Sequence, residues 1–184
     1  MWPAAVALAR SVARLGCEGL RVLDLGCGLG VPGVAAARER ASVVFADREA
    51  DALAFARWNA VGNSVRKDAV ACRIDWARET VPGSFDVILM ADVSYRPLHH
   101  EPLRRHAETC LLRDGMLVHA DPWRPESAPF LEWLRGSFSV LEESCDVVFA
   151  ERRTRIRVVC AARSVSLLGR FQSAAHQNSP RRQQ

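Results

Sequence analysis

The chain has 184 residues, 49% hydrophobic and 25% charged, which suits one soluble domain with its own core. No run of about eighteen apolar residues occurs, so no membrane-spanning helix is expected. The net charge of +4 reduces to the four arginines after Ala162 (Arg163, Arg170, Arg181 and Arg182), leaving the rest of the chain neutral and no phosphate-tracking groove for nucleic acid.

In chain order, residues 1–16 (MWPAAVALARSVARLG) read as a helix of the mature domain, since they lack a basic leader and a cleavable apolar run. Residues 20–25 read as a buried strand and 31–40 as a helix, with Pro32 tolerated in its first turn. Strand 42–47 follows, then a helix over 48–63 that stops at Gly62-Asn63. Strands are expected at 69–75 and 85–92, a helix over 98–112, a strand at 115–121 and a helix over 128–137. Residues 139–151 and 155–163 complete the set as a hairpin joined through Arg152, Arg153 and Thr154. Regular strand–helix alternation implies an α/β, Rossmann-like three-layer sandwich around a mostly parallel seven-stranded sheet. Two final strands without a helix between them imply an antiparallel final strand. One domain over 1–163 is expected, then a disordered basic tail over 164–184.

The six cysteines (17, 27, 72, 110, 145 and 160) contain no CxxC pair and no metal-ligand spacing. They read as buried hydrophobes in a reducing cytoplasm. His99 and His100 are adjacent on a helical stretch and point apart, so no metal site is expected.

The chemistry concentrates in VLDLGCGLGVPG, residues 22–33. Gly28-x-Gly30-x-x-Gly33 fits the dinucleotide fingerprint, with Asp47 downstream for a ribose hydroxyl. A second parse starts at Asp24 and runs through Gly26, Gly28 and Gly30. An acid before the glycines does not help a pyrophosphate, but it does help a ligand carrying ammonium and sulfonium charges. S-adenosylmethionine (SAM) carries both, and Asp47 still serves its ribose. Tyr95 is the only tyrosine and residue 99 is histidine, so the Y-x-x-x-K pair of short-chain reductases is absent.

VLDLGCGLG, VVFAD, RIDW and FDVILMADVSY together resemble the class I, seven-strand SAM-dependent methyltransferases. Asp92-Val93-Ser94-Tyr95 resembles the D-x-x-Y motif of their protein-lysine methyltransferase group. ADPWRP (120–125) is similar to the D-P-x-R segment of the electron transfer flavoprotein β-subunit lysine methyltransferase and its bacterial relatives. The resemblance implies SAM as cofactor, with Gly26, Gly28 and Gly30 close to its methionine moiety and Asp24 at its amino group. It places Asp47 on the ribose, Asp75 and Trp76 at the adenine, and Trp2, Arg48 and Ala91 alongside. It implies catalytic roles for Asp92, which would orient an acceptor amine and take its proton through water, and for Tyr95, which would offer a ring face or hydroxyl. Arg124 would contact an acidic substrate surface or pair with Glu126.

The implied acceptor is a protein lysine side chain. The alternatives are a small nitrogen compound such as nicotinamide, or a non-catalytic SAM-fold binding module. Family members usually carry a segment before the W-P of Trp2-Pro3, whereas this sequence opens there, and that feature raises the binding-module alternative. A cytoplasmic location is expected, and the sequence gives no oligomeric state.

Overall fold

A computed structural model describes residues 2–65, 67, 69–165 and 168–169. Seven strands form one sheet in the order β3-β2-β1-β4-β5-β7-β6. The strands are β1 (Arg21–Leu25), β2 (Ser42–Asp47), β3 (Ala69–Arg73), β4 (Phe85–Ala91), β5 (Leu111–Asp121), β6 (Ser139–Phe149) and β7 (Arg152–Ala162). The first five pair in parallel, and β7 runs antiparallel to both β5 and β6. The helices are α1 (Pro3–Leu15), α2 (Val31–Arg38), α3 (Ala50–Gly62), α4 (His100–Thr109) and α5 (Ala128–Ser137). This is the Rossmann-like sandwich the alternation implied.

Alternating residues of each strand face opposite sides of the sheet and build two cores. Val22, Val43, Phe45, Val87 and Leu89 pack with α1, α2 and α3. Leu23, Leu25, Ile88, Met90 and Leu117 pack with α4 and α5. A fully buried side chain of this kind contributes roughly 1.5–3 kcal/mol. An exposed ion pair such as Arg40–Glu18 contributes at most about 1 kcal/mol, so the two cores hold the fold. One helix is also tied by polar contacts: Ser11 and Arg14 of α1 both donate to Glu143 of β6. Among the described residues no helix is long and apolar enough to cross a membrane.

Several boundaries differ from the sequence reading. The helix expected over 98–112 is a 3-10 turn at Pro97–His99 followed by α4, which ends at Thr109. Leu111, apolar like a helix residue, instead pairs with Phe85 and opens β5. The β6–β7 connection is Ala150-Glu151 rather than 152–154. Both residues take positive φ, 47° and 64°, as a two-residue hairpin turn requires, and Phe149 pairs with Arg152 across it. Of the tail expected from 164, four residues are described (Ser164, Val165, Leu168 and Gly169), and Leu168 is buried in the first core. The rest of that tail lies outside the described residues.

The strand order reverses between β1 and β4, whose connections leave to opposite sides. In open α/β sheets that reversal opens a crevice at the carboxyl ends of the strands. The candidate site lies there.

Candidate active site

A cleft of about 780 Å³ opens at the carboxyl ends of β1, β2, β3 and β4. Trp2, Gly26, Gly28, Asp47, Arg48, Asp75, Trp76, Ala91, Asp92 and Tyr95 all line it. The structure thus brings together ten of the twelve site residues expected from the sequence.

The loop after β1 forms the floor. Gly28 has φ +51°, and a Cβ built on it would meet nothing within 4 Å, so its backbone faces open space. A Cβ on Gly26 would meet Val93 at 2.7 Å and Trp76 at 3.6 Å, so the chain passes close under the cleft wall.

The other two expected residues are placed differently. Gly30 does not line the cleft. A Cβ there would meet Ala56 Cβ at 2.8 Å and Phe45 Cε1 at 2.9 Å, so this glycine serves helix packing. Asp24 is buried at 1% exposure, and its Oδ2 accepts the Gly33 N–H at 2.9 Å. It anchors the start of α2 instead of reaching the cleft. Burial pushes its carboxyl up to about 7, the Gly33 N–H opposes that, and the Asp47 charge adds to it.

Asp47 closes the far side of the floor. Its Oδ2 accepts the Gly28 N–H at 3.0 Å and its Oδ1 accepts the Glu49 N–H at 3.1 Å. Two backbone donors fix the carboxylate, and each oxygen keeps capacity for a hydroxyl. Asp75 is held similarly, Oδ1 accepting the Ala77 N–H at 3.2 Å. Trp76 stands beside it and meets the His99 ring edge-on at 5.0 Å.

The opposite end begins where β4 stops. Asp92 takes φ +54°, uncommon outside glycine, and its N–H donates to Ala120 O at 2.8 Å. That kink turns its carboxylate toward the loop after β5. Arg124 meets it with two bonds, Nε to Oδ1 at 2.6 Å and Nη2 to Oδ2 at 2.8 Å. The Asp92 side chain is 7% exposed. Asp92 is therefore half of a bidentate ion pair rather than a helix cap. The Arg124 guanidinium also lies 5.6 Å from the Tyr95 ring centroid. The Tyr95 ring in turn meets His99 edge-on at 5.7 Å.

Two features escaped the sequence reading. His99 stands between Trp76 and Tyr95, its Nδ1–H donating to Val93 O at 3.2 Å. Burial pushes its pKa down, and the Arg96 and Arg48 charges add to that. As expected, the adjacent His100 points elsewhere, its Nε2–H on Ser94 O at 2.9 Å. The second feature is the partner of Arg124, which is Asp92 and not Glu126. The two are 32 residues apart, so no spacing pattern signals them.

A buried polar cluster supports this end. Ser94 Oγ lies 2.8 Å from both His119 Nε2 and Ser127 Oγ, joining β4, β5 and the start of α5. His119 is fully buried, and burial pushes its pKa down to about 4.

The residues present fit SAM: an open glycine floor, a carboxylate clamped for a diol, and an acid with an aromatic ring beyond it. The methyltransferase small domain model matches residues 4–118. A Danio rerio relative, protein N-lysine methyltransferase METTL21A, is 33% identical over 155 residues, covering 79% of this chain and 71% of that protein. Ubiquinone biosynthesis O-methyltransferase of Erwinia tasmaniensis is 33% identical over 129 residues, covering 68% of this chain and 51% of that protein. The chain thus spans about half the length of that relative. Precorrin-6y C5,15-methyltransferase from Geobacter metallireducens superposes with a TM-score of 0.69 at 15% identity, covering 86% of this chain and 88% of that one. Magnesium protoporphyrin IX methyltransferase from Synechocystis, solved with bound SAM, superposes with a TM-score of 0.67 at 20% identity, covering 86% and 77%. At these identities the structural likeness establishes the fold. The chain belongs to the methyltransferase small domain family, on the Rossmann-like fold of the SAM-dependent methyltransferases.

Proposed function

We propose that this protein is a SAM-dependent N-methyltransferase whose acceptor is a protein lysine side chain. The observation that carries this reading is the acceptor end of the cleft: the mostly buried Asp92 carboxylate and the exposed ring of Tyr95 both line it and both meet Arg124. A hydrogen-bond acceptor next to an aromatic face suits an N–H nucleophile on a flexible apolar stem. The lysine-directed relative supports it, whereas the ubiquinone-pathway relative names an oxygen acceptor.

When bound, SAM supplies an electrophilic methyl group, which the acceptor lone pair takes while sulfur keeps the electrons of the broken bond. The chain's own residues bind, orient and exclude water. Asp47 would hold the ribose hydroxyls, and Asp75 with Trp76 the adenine. Gly26 and Gly28 would admit the methionine moiety, with Trp2, Arg48 and Ala91 completing the wall. Asp92 would accept an N–H of the acceptor and aim its lone pair.

Calorimetry with SAM and its demethylated product, with NAD as control, tests the cofactor; both SAM-type ligands bind and NAD does not. Transfer of labelled methyl from SAM into extract proteins tests the acceptor, with nicotinamide in parallel. Methyl-lysine in the hydrolysed protein is the expected product. Label in nicotinamide alone would redirect the reading to a small nitrogen acceptor, and SAM binding without transfer to a binding module.

A further inference from the structure

The ion pair at the acceptor end has a chemical consequence. An unpaired buried carboxylate beside an amine stabilises the ammonium, which has no lone pair to take a methyl group. In this cleft, the carboxylate is already neutralised. Arg124 binds both Asp92 oxygens, at 2.6 and 2.8 Å. Each oxygen keeps a second lone pair, so the carboxylate still accepts an N–H.

The loop is built to hold Arg124 there. Its backbone N–H donates to Asp121 Oδ2 at 2.9 Å. Asp121, fully buried, is gripped by Arg157 at 2.9 and 3.1 Å. The Arg157 guanidinium sits 4.5 Å from the Trp123 ring, and Trp123 takes φ +56° to bring the chain round.

The other charges near Asp92 do not undo the pairing. On its own turn, Arg96 lines the cleft as a further cation, and burial lowers the pKa of His99, disfavouring its charged form. On β5, Asp121 is committed to Arg157, and His119 is held neutral by burial. At the end of β2, Arg48 pairs with Glu49, and Asp47 faces the Gly28 N–H. Asp75, after β3, is bonded to the Ala77 N–H.

We propose that Arg124 is a positioning residue that acts through Asp92. It cancels the carboxylate's charge while leaving its hydrogen-bonding capacity, so the cleft selects the neutral amine over the ammonium. The amine's proton passes to bulk water before transfer. The new N–C bond then forms from a free lone pair, and the methylated ammonium product loses its extra proton to water. This rests on the lysine reading above.

The test is the pH dependence of kcat for methyl transfer to lysine, which reports protonation in the bound complex. Saturating extract protein is the acceptor, with label counted as methyl-lysine. The wild-type rate rises with pH to a plateau as the bound amine deprotonates. Arg124→Gln leaves Asp92 uncompensated, so the midpoint moves up by about 1 pH unit or more. Arg124→Lys keeps the charge, and its midpoint stays nearer the wild type. Asp92→Asn combined with Arg124→Gln removes both charges and brings the midpoint back toward the wild type. A merely structural role would lower the plateau without moving the midpoint up and then back. Thermal melting and SAM calorimetry on each variant establish that it is folded. An unmoved midpoint in folded, lysine-methylating Arg124→Gln overturns this inference alone. Wild type that methylates no lysine at any pH overturns the lysine reading and the inference with it.

Discussion

Asp47 is fixed by two backbone N–H groups, at 3.0 and 3.1 Å, before any ligand arrives. A carboxylate oriented in advance loses little freedom on binding a diol. Asp47→Ala should weaken SAM binding by roughly 1–3 kcal/mol, the range for leaving polar partners unmatched. Calorimetry reads it directly, and an unchanged affinity would remove Asp47 from the ribose. Three aspartates at strand ends, Asp24, Asp47 and Asp75, were all expected at the cofactor from the sequence. Packing separates them. Asp24 lies on an interior strand, with Phe45 and Leu89 as its sheet partners, and is sealed in, whereas Asp47 and Asp75 face the cleft. Burial depends on neighbours distant in the chain, so the motif alone did not tell them apart. The Arg124–Asp92 pair was hidden for the same reason.

At the scale of elements, the alternation of strands and helices was legible because period-2 and period-3.6 patterns each mark one kind of surface. A mostly parallel sheet with an antiparallel final strand followed from it, whereas the strand order that opens the cleft is set by the tertiary pairing. The jobs of the glycines did not follow from it either. Gly28 gives open backbone to the cleft, whereas Gly33, five residues on, fills a close contact between α2 and the sheet. A Cβ on Gly33 would lie 2.4 Å from Phe45 Cε1 and 2.9 Å from Asp24 Oδ2. Phe45 is fully buried and has little room to move. Gly33→Ala should therefore destabilise the protein by about 1–3 kcal/mol. Gly136, exposed in α5, has nothing within 4 Å of its Cβ position. The same substitution there should stabilise by roughly 0.5–1 kcal/mol, because alanine loses less entropy in a helix. Denaturant midpoints of the two variants, on opposite sides of the wild type, would check the assignment.

Over the whole molecule, two buried groups set opposing pH dependences. The Asp24 carboxyl is raised from 3.8 to about 7 by burial. The folded state keeps that proton after the unfolded chain has lost it, so the stability Asp24 contributes is full below about pH 4. It is lost as the pH rises to about 7. The His119 imidazole is lowered from 6.5 to about 4, again by burial. The unfolded chain takes that proton first, so the contribution of His119 is full above pH 6.5 and lost as the pH falls toward 4. His106 is lowered too, chiefly by burial, and acts in the same direction as His119. Each group changes stability by at most about 1.4 kcal/mol per pH unit, and the opposing slopes overlap between about pH 4 and 6.5. Wild-type stability should thus change less across that window than the histidines alone would make it. Asp24→Asn removes one slope and keeps a side-chain oxygen for the Gly33 N–H. Its stability should fall as the pH is lowered from 6.5 to 4.5, with His119 and His106 no longer opposed. Urea unfolding of both proteins at several pH values in that range measures the difference. Parallel profiles would mean that Asp24 is ionised in the folded state, with its charge held by the Gly33 N–H despite burial.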